Sequence, residues 1–267
     1  MLAALLIVFR ETVEAGLIVG IVLAATRGLP GRGRWVGYGV AAGLAGAGVV
    51  AAFAEAISDA FAGSGQELFN AAVLAFAVGM LVWHNAWMAA HGRDLSRNLR
   101  QVGAEVASGR RSLAALAIVV GVAVLREGSE TVLFLAGVLT SGATSPWAVA
   151  EGGLLGVGIA AALSTLLYLG LVSLPVRRLF GVTSGLVTLL AAGLAAQAVG
   201  FLQQAGQAEV LTGTAWDSSW LLPDASIGGR LLHTLIGYTA APDGLQVGAY
   251  CLTIGVTAGL MRFARAG

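Results

Sequence analysis

Seven long apolar stretches, separated by short polar segments, take up most of this chain. They run over about residues 2–25, 36–57, 67–90, 113–140, 147–174, 179–204 and 246–263. A helix needs about 20 apolar residues to cross the hydrocarbon core of a bilayer, and each stretch is close to that or longer. Only 11% of the residues are charged, against about 25% in soluble domains. A β-barrel would instead alternate apolar and polar residues over segments of about ten, and that pattern is absent. The sequence therefore predicts an all-α integral membrane protein with seven transmembrane helices.

The basic residues orient the helices. All fifteen are arginine. Arg27, Arg32 and Arg34 fall in the first connection. Arg93, Arg97, Arg100, Arg110 and Arg111 fall in the third, Arg177 and Arg178 in the fifth, and Arg262 and Arg265 in the tail. Only Arg230 falls on the opposite side. The positive-inside rule places the arginine-rich side in the cytoplasm, the N-terminus outside and the C-terminus inside. The first stretch has no basic n-region, and Arg10, Glu11 and Glu14 interrupt it, so it reads as a retained helix rather than a signal peptide. The outer connections carry Asp59, Glu67, Glu151, Glu209, Asp217, Asp224 and Asp243. They either concentrate cations at the outer face or are what remains once basic residues are excluded.

The two arginines not yet placed lie inside apolar stretches. Arg10-Glu11-Thr12-Val13-Glu14 and Arg126-Glu127-Gly128-Ser129-Glu130 share the pattern Arg-Glu-x-x-Glu, 116 positions apart. A charge at the centre of a membrane helix costs roughly 2.5–3.5 kcal/mol on insertion scales. Both clusters precede similar apolar sequence, 15–23 and 131–139. The third and sixth stretches also open alike, with Leu68-Phe69-Asn70 and Leu179-Phe180-Gly181. Three helices and then three helices make two halves inverted in the membrane, with helix 7 outside the repeat. The expected layout is repeat 1 at about 1–90, a cytoplasmic linker at 91–112 and repeat 2 at 113–204. An external loop at 205–245 and helix 7 at 246–263 complete a single membrane domain. Inversion brings the two clusters together near mid-depth.

Residues three or four apart share a helix face. Glu11 with Glu14, and Glu127 with Glu130, thus offer up to four carboxylates, with Arg10 and Arg126 able to pair beside them. Carboxylates are hard ligands and suit Fe³⁺, Mn²⁺, Mg²⁺ or Ca²⁺. The side chains alone leave that choice open. They also leave open buried salt bridges or a proton relay. The lone Cys251 argues against a thiolate site.

Arg-Glu-x-x-Glu in the first and fourth of seven spans resembles the oxidase-linked iron permease family, which includes the fungal high-affinity ferric permease and bacterial ferrous-iron uptake permeases. The family's usual motif is Arg-Glu-Gly-Leu-Glu, so the charged positions match and the middle two differ. Fungal members carry Asp-Ala-Ser-Glu in the last outer loop, where this chain has Asp224-Ala225-Ser226-Ile227. The resemblance implies import of Fe³⁺ after external oxidation of Fe²⁺, with iron as substrate and no permanently bound cofactor. Glu11, Glu14, Glu127 and Glu130 then bind the metal, supported by Arg10 and Arg126. It also implies a bacterial inner (plasma) membrane location and an extracytoplasmic iron-oxidising partner. Transport of another divalent metal such as lead or manganese, or a proton-coupled exchanger using the same carboxylates, are the alternatives.

Four further residues are pathway candidates. His84 lies among Trp83, Asn85 and Trp87, and reads either as a core or interfacial histidine or as an exit-path ligand. Glu55 is an entry ligand or a solvated helix end, and Asp217 and Asp224 sit in the long external loop. Gln197 could line the outer vestibule. Gly16/Gly20, Gly39/Gly43 and Gly152/Gly156 have the spacing of close helix packing. Segment 92–111 suits a short helix on the inner membrane surface. A phosphate-binding GxxxxGK[ST] loop, an HExxH motif and a Ser/His or Cys/His pairing are missing from the sequence, so neither direct ATP drive nor an enzyme is expected. The partners expected are a metal ion and lipid rather than nucleic acid, with a homo-oligomer left open.

Overall fold

The computed structural model describes residues 1–60, 65–142, 144–171 and 176–266. The side chains of Asp59, Arg93, Arg177 and Arg265, and the expected end of the fifth stretch at 174, lie outside the described residues. Eight helices are described: α1 (Leu2–Ala25), α2 (Arg32–Ala60), α3 (Gln66–Ala107), α4 (Ala114–Thr140), α5 (Pro146–Tyr168), α6 (Val176–Gln204), α7 (Ile227–Ile236) and α8 (Gly244–Ala266). Five of them (α2, α3, α5, α6 and α8) contain segments long and apolar enough to cross a membrane. Helices α1 and α4 are as long, with 24 and 27 residues, but each carries three charges at its middle. The outer surface is apolar: Leu44, Phe53, Ile118, Trp147 and Leu154 are all exposed. That is the surface of a multi-pass membrane protein, whose solvent around the bundle is lipid.

Packing explains the Gly39/Gly43 and Gly152/Gly156 pairs. Helix α2 packs mainly on α4, α1 on α5, and α3 on α6. A β-carbon on Gly43 would lie 2.8 Å from Gly121 O and 2.9 Å from Leu125 N. One on Gly156 would lie 2.8 Å from Leu5 O and 2.9 Å from Phe9 N. Both glycines let backbones touch where even an alanine would not fit.

Two apolar clusters fill the bundle at different depths. One joins Ala3, Ala4 and Ile7 of α1 with Leu74 and Leu81 of α3 and Phe134 and Val138 of α4. The other joins Ile18 and Val22 of α1 with Leu99 and Val106 of α3 and Leu116, Val120 and Val124 of α4. Along all three helices the buried polar residues lie between the clusters: Arg10, Glu11 and Glu14, His84 and Asn85, and Glu127 and Glu130.

Two connections differ from expectation. Segment 92–111 is not a separate surface helix. Most of it extends α3, whose 42 residues reach about 63 Å at 1.5 Å per residue. Leu99 and Val106 hold this extension against the ends of α1 and α4, and Gly103 abuts Ala25. The 205–245 loop contains α7, capped by Ser226, whose hydroxyl accepts from Gly229 N at 2.9 Å, and ended by Gly237 at φ 70°. Gly237 backs onto Gly193 of α6 with no room for a β-carbon on either. The loop thus folds down on the bundle. His233 Nδ1 lies 2.7 Å from Tyr238 O, so that nitrogen donates, and Nε2 accepts from Gln197 Nε2 at 2.9 Å. Beside them is a cavity of about 20 Å³ lined in part by Ala3 and Ser141, the size of one water.

Candidate metal centre

The polar layer joins both sequence clusters. Arg10, Glu11, Glu14, Glu127 and Glu130 are all buried. Arg10 Nε is 3.1 Å from Glu14 Oε1, and its Nη1 is 3.6 Å from Glu11 Oε1. On α4, Arg126 Nε donates to Glu130 Oε1 at 3.0 Å and lies 3.9 Å from Glu127 Oε1. Arg10–Glu14 and Arg126–Glu130 are the i, i+4 pairs the sequence predicts. The two halves differ in solvation. The Arg10 side chain is 1% exposed and that of Arg126 28%. The Arg126 guanidinium stacks 3.9 Å over the Trp87 ring, a cation–π contact from α3.

His84 is the residue that sequence reasoning left ambiguous. It is fully buried, so it is not an interfacial histidine. Its ring stands between the two motifs. Nδ1 meets Glu130 Oε2, while Nε2 is 3.6 Å from Glu14 Oε2 and 3.8 Å from Glu11 Oε2. One ligand atom from each of Glu11, His84, Glu127 and Glu130 lies within 4.8 Å of the others. Phe134 meets the His84 ring edge-on at 6.3 Å between centroids. Next to it, Asn85 donates to Thr188 Oγ1 of α6 at 3.2 Å, which fixes this turn of α3.

Electron-pair donors are left over. Glu11 Oε2, Glu14 Oε2, Glu127 Oε2, Glu130 Oε2 and the His84 ring, one of whose two nitrogens carries a proton and the other a lone pair, are buried without a hydrogen bond of normal geometry among the described residues. Orphaned buried acceptors are costly. Several converging on one point form the kind of cage that a cation completes. Four carboxylates and two guanidiniums leave a formal charge of −2.

The other pathway candidates are not part of this layer. Glu55 is exposed on α2. Asp217 and Asp224 are exposed in the 205–245 segment and bind backbone there: Asp217 Oδ1 accepts from Ser219 N and Asp224 Oδ1 from Ala240 N, each at 2.8 Å.

Fold and buried layer define a multi-pass membrane protein with a polar centre, and the comparisons say which kind. Residues 1–264 match the iron permease FTR1 family, and the chain belongs to that family. It is 34% identical over 259 residues to the ferrous iron permease EfeU of Escherichia coli O6:K15:H31 (strain 536 / UPEC), with 94% of this chain and 91% of the relative covered. It is equally similar to the Shigella sonnei (strain Ss046) ferrous iron permease EfeU. To that of Yersinia pestis it is 32% identical over 257 residues, covering 94% and 89%. No solved structure matches the chain.

Proposed function

We propose that this chain imports iron across a bacterial inner membrane, binding the ion at mid-depth among Glu11, Glu14, Glu127 and Glu130. The observation that carries the reading is the buried layer itself, where carboxylate oxygens from α1 and α4 face one another unsatisfied. Arg10 and Arg126 hold the carboxylates in place and offset part of their charge. Apolar clusters on both sides make this an occluded arrangement, which must open to each face in turn.

Seven spans fit this reading, α1 and α4 being the two that carry the site. The packing supports an inverted repeat. Laying Arg10 on Arg126 sets Leu5 and Phe9 on Gly121 and Leu125. Those are the residues that Gly156 and Gly43 meet, respectively, with the same backbone atoms at the same distances. The N-terminus outside and the C-terminus in the cytoplasm follow from the arginines.

The carboxylates alone do not choose the ion, and the family resemblance implies Fe³⁺, delivered after Fe²⁺ is oxidised by an external partner. The relatives' names specify ferrous iron and favour Fe²⁺. The test is radioactive iron uptake into proteoliposomes, offered as Fe²⁺ or Fe³⁺, with wild type beside Glu14→Gln/Glu130→Gln. The wild type should accumulate iron and the folded double variant should not. Equal uptake by both would reject the site.

A further inference from the structure

We infer that His84 is a nitrogen ligand of the transported ion and makes the site select Fe²⁺ over Fe³⁺ and over hard divalent ions. The inference rests on the iron-permease reading above and adds a residue outside both motifs.

Geometry comes first. His84 is fully buried and is the one described histidine among the carboxylates of the layer. Its two nitrogens address different halves of the site. Nδ1 faces Glu130 on α4, and Nε2 faces Glu11 and Glu14 on α1 at 3.8 and 3.6 Å. A metal-bound imidazole characteristically gives its other N–H to a carboxylate, which fixes the ring and raises its basicity. Glu130 stands where that carboxylate belongs. Nδ1 then donates to Glu130, and Nε2 presents its lone pair beside Glu11 and Glu14, with Glu127 in the same group. Glu130 itself is tied to Arg126 at 3.0 Å. It is the positioning residue of the four carboxylates.

Ligand chemistry and charge point the same way. Carboxylates without nitrogen suit Mg²⁺, Ca²⁺ and Mn²⁺, while imidazole suits Fe, Zn, Cu and Ni. One imidazole with three carboxylates is a mixed set appropriate to Fe²⁺. The layer's formal charge of −2 is neutralised by a divalent ion, whereas a trivalent ion leaves a net positive charge between two apolar clusters, where uncompensated charge is expensive. The nitrogen comes from one half only. If Leu68-Phe69 is laid on Leu179-Phe180, the position matching His84 is Ala195.

The test uses the purified full chain in lipid nanodiscs, with Mn²⁺ as a paramagnetic, redox-stable probe. Electron spin-echo spectroscopy of bound Mn²⁺ should show nitrogen modulation that changes when the histidines carry ¹⁵N. His84→Gln should abolish it, and His91→Gln and His233→Gln should keep it. His84→Gln should also weaken Fe²⁺ binding at least tenfold, Mn²⁺ binding by less than that, and Ca²⁺ binding less than twofold. Bound Mn²⁺ without nitrogen modulation in the wild type would overturn the inference and leave the carboxylate site standing, whatever the variants do. Wild-type protein that binds no Mn²⁺ or Fe²⁺, or binding unchanged in Glu11→Gln/Glu14→Gln, would overturn the metal site itself and this inference with it.

Discussion

Gly43→Ala and Gly156→Ala should damage the protein alike, although they lie on different helices far apart in the chain. At Gly43 the added carbon falls 2.7 Å from Val124 Cβ, 2.8 Å from Gly121 O and 2.9 Å from Leu125 N. At Gly156 it falls 2.8 Å from Leu5 O, 2.9 Å from Phe9 N and 3.1 Å from Val8 Cβ. Ordinary contact begins at about 3.4 Å, so each pair of helices must part by ~0.6 Å, and backbone atoms cannot rotate away as a side chain would. Overpacking of this kind costs about 1–3 kcal/mol, a fall in midpoint on the order of 5 °C for a chain of this size. Each parting also shifts a motif helix, since Val124 and Leu125 adjoin Arg126 and Val8 and Phe9 adjoin Arg10. Iron uptake should therefore drop more than the stability loss alone explains. Gly48→Ala and Gly158→Ala are the controls, because nothing lies within 4 Å of a β-carbon at either. There alanine should be neutral or slightly stabilising, by its better helix propensity. The assay is thermal unfolding by tryptophan fluorescence in detergent, with uptake measured on the same preparations. Gly43→Ala or Gly156→Ala behaving like its control would refute the close packing and the symmetry argued from it.

The two arginines should differ. Arg10→Met strands Glu11 and Glu14 in a fully buried setting, where removing one partner costs about 3–5 kcal/mol, so the variant should fail to give folded protein. Arg126→Met, at a side chain 28% exposed, should fold and lose uptake, and equal yields of the two variants would contradict the difference in burial. Trp87→Ala should destabilise by about 0.5–2 kcal/mol through the lost cation–π contact, and an unchanged melting midpoint would rule that contact out. In the 205–245 segment the hydroxyl and N–H of Ser219 hold the Asp217 carboxyl below its ordinary value of 3.8. The turn's order is therefore complete above that value and is lost as pH falls through the lower folded one. Hydrogen exchange at Ser219, corrected for intrinsic rate, should lose protection only below pH 3.8, and protection unchanged in Asp217→Ala would count against the bond.

The motif helices and the bundle class were legible because charge inside an apolar run has few explanations and helix periodicity fixes which side chains share a face. Glu14 meets Arg10, and Glu130 meets Arg126, through spacing alone. His84 was not legible as part of the layer. Its neighbours Trp83 and Trp87 mimic an interfacial belt, and its depth depends on α3 running on past it to Ala107. That extension is held by Leu99 and Val106, two apolar residues in a polar segment whose significance appears only when α1 and α4 supply their partners. Helix α7 escaped notice because it is ten residues long and lies among prolines, glycines and serines, with its Ser226 cap and Gly237 stop as the only local signals. Glu55, Asp217 and Asp224 show the converse. These three lie outside the buried layer, and two of them are occupied with backbone amides.

The central claim is that a cation sits between α1 and α4 in the buried polar layer. Anomalous diffraction from crystals of the wild-type protein grown with Fe²⁺ under anaerobic conditions tests it most directly, with data collected on both sides of the iron edge. A single strong intramembrane peak is expected beside Glu11, Glu14, His84 and Glu127, absent in crystals of Glu11→Gln/Glu127→Gln. Iron found elsewhere in the bundle with this layer empty, in protein that transports iron, would contradict it.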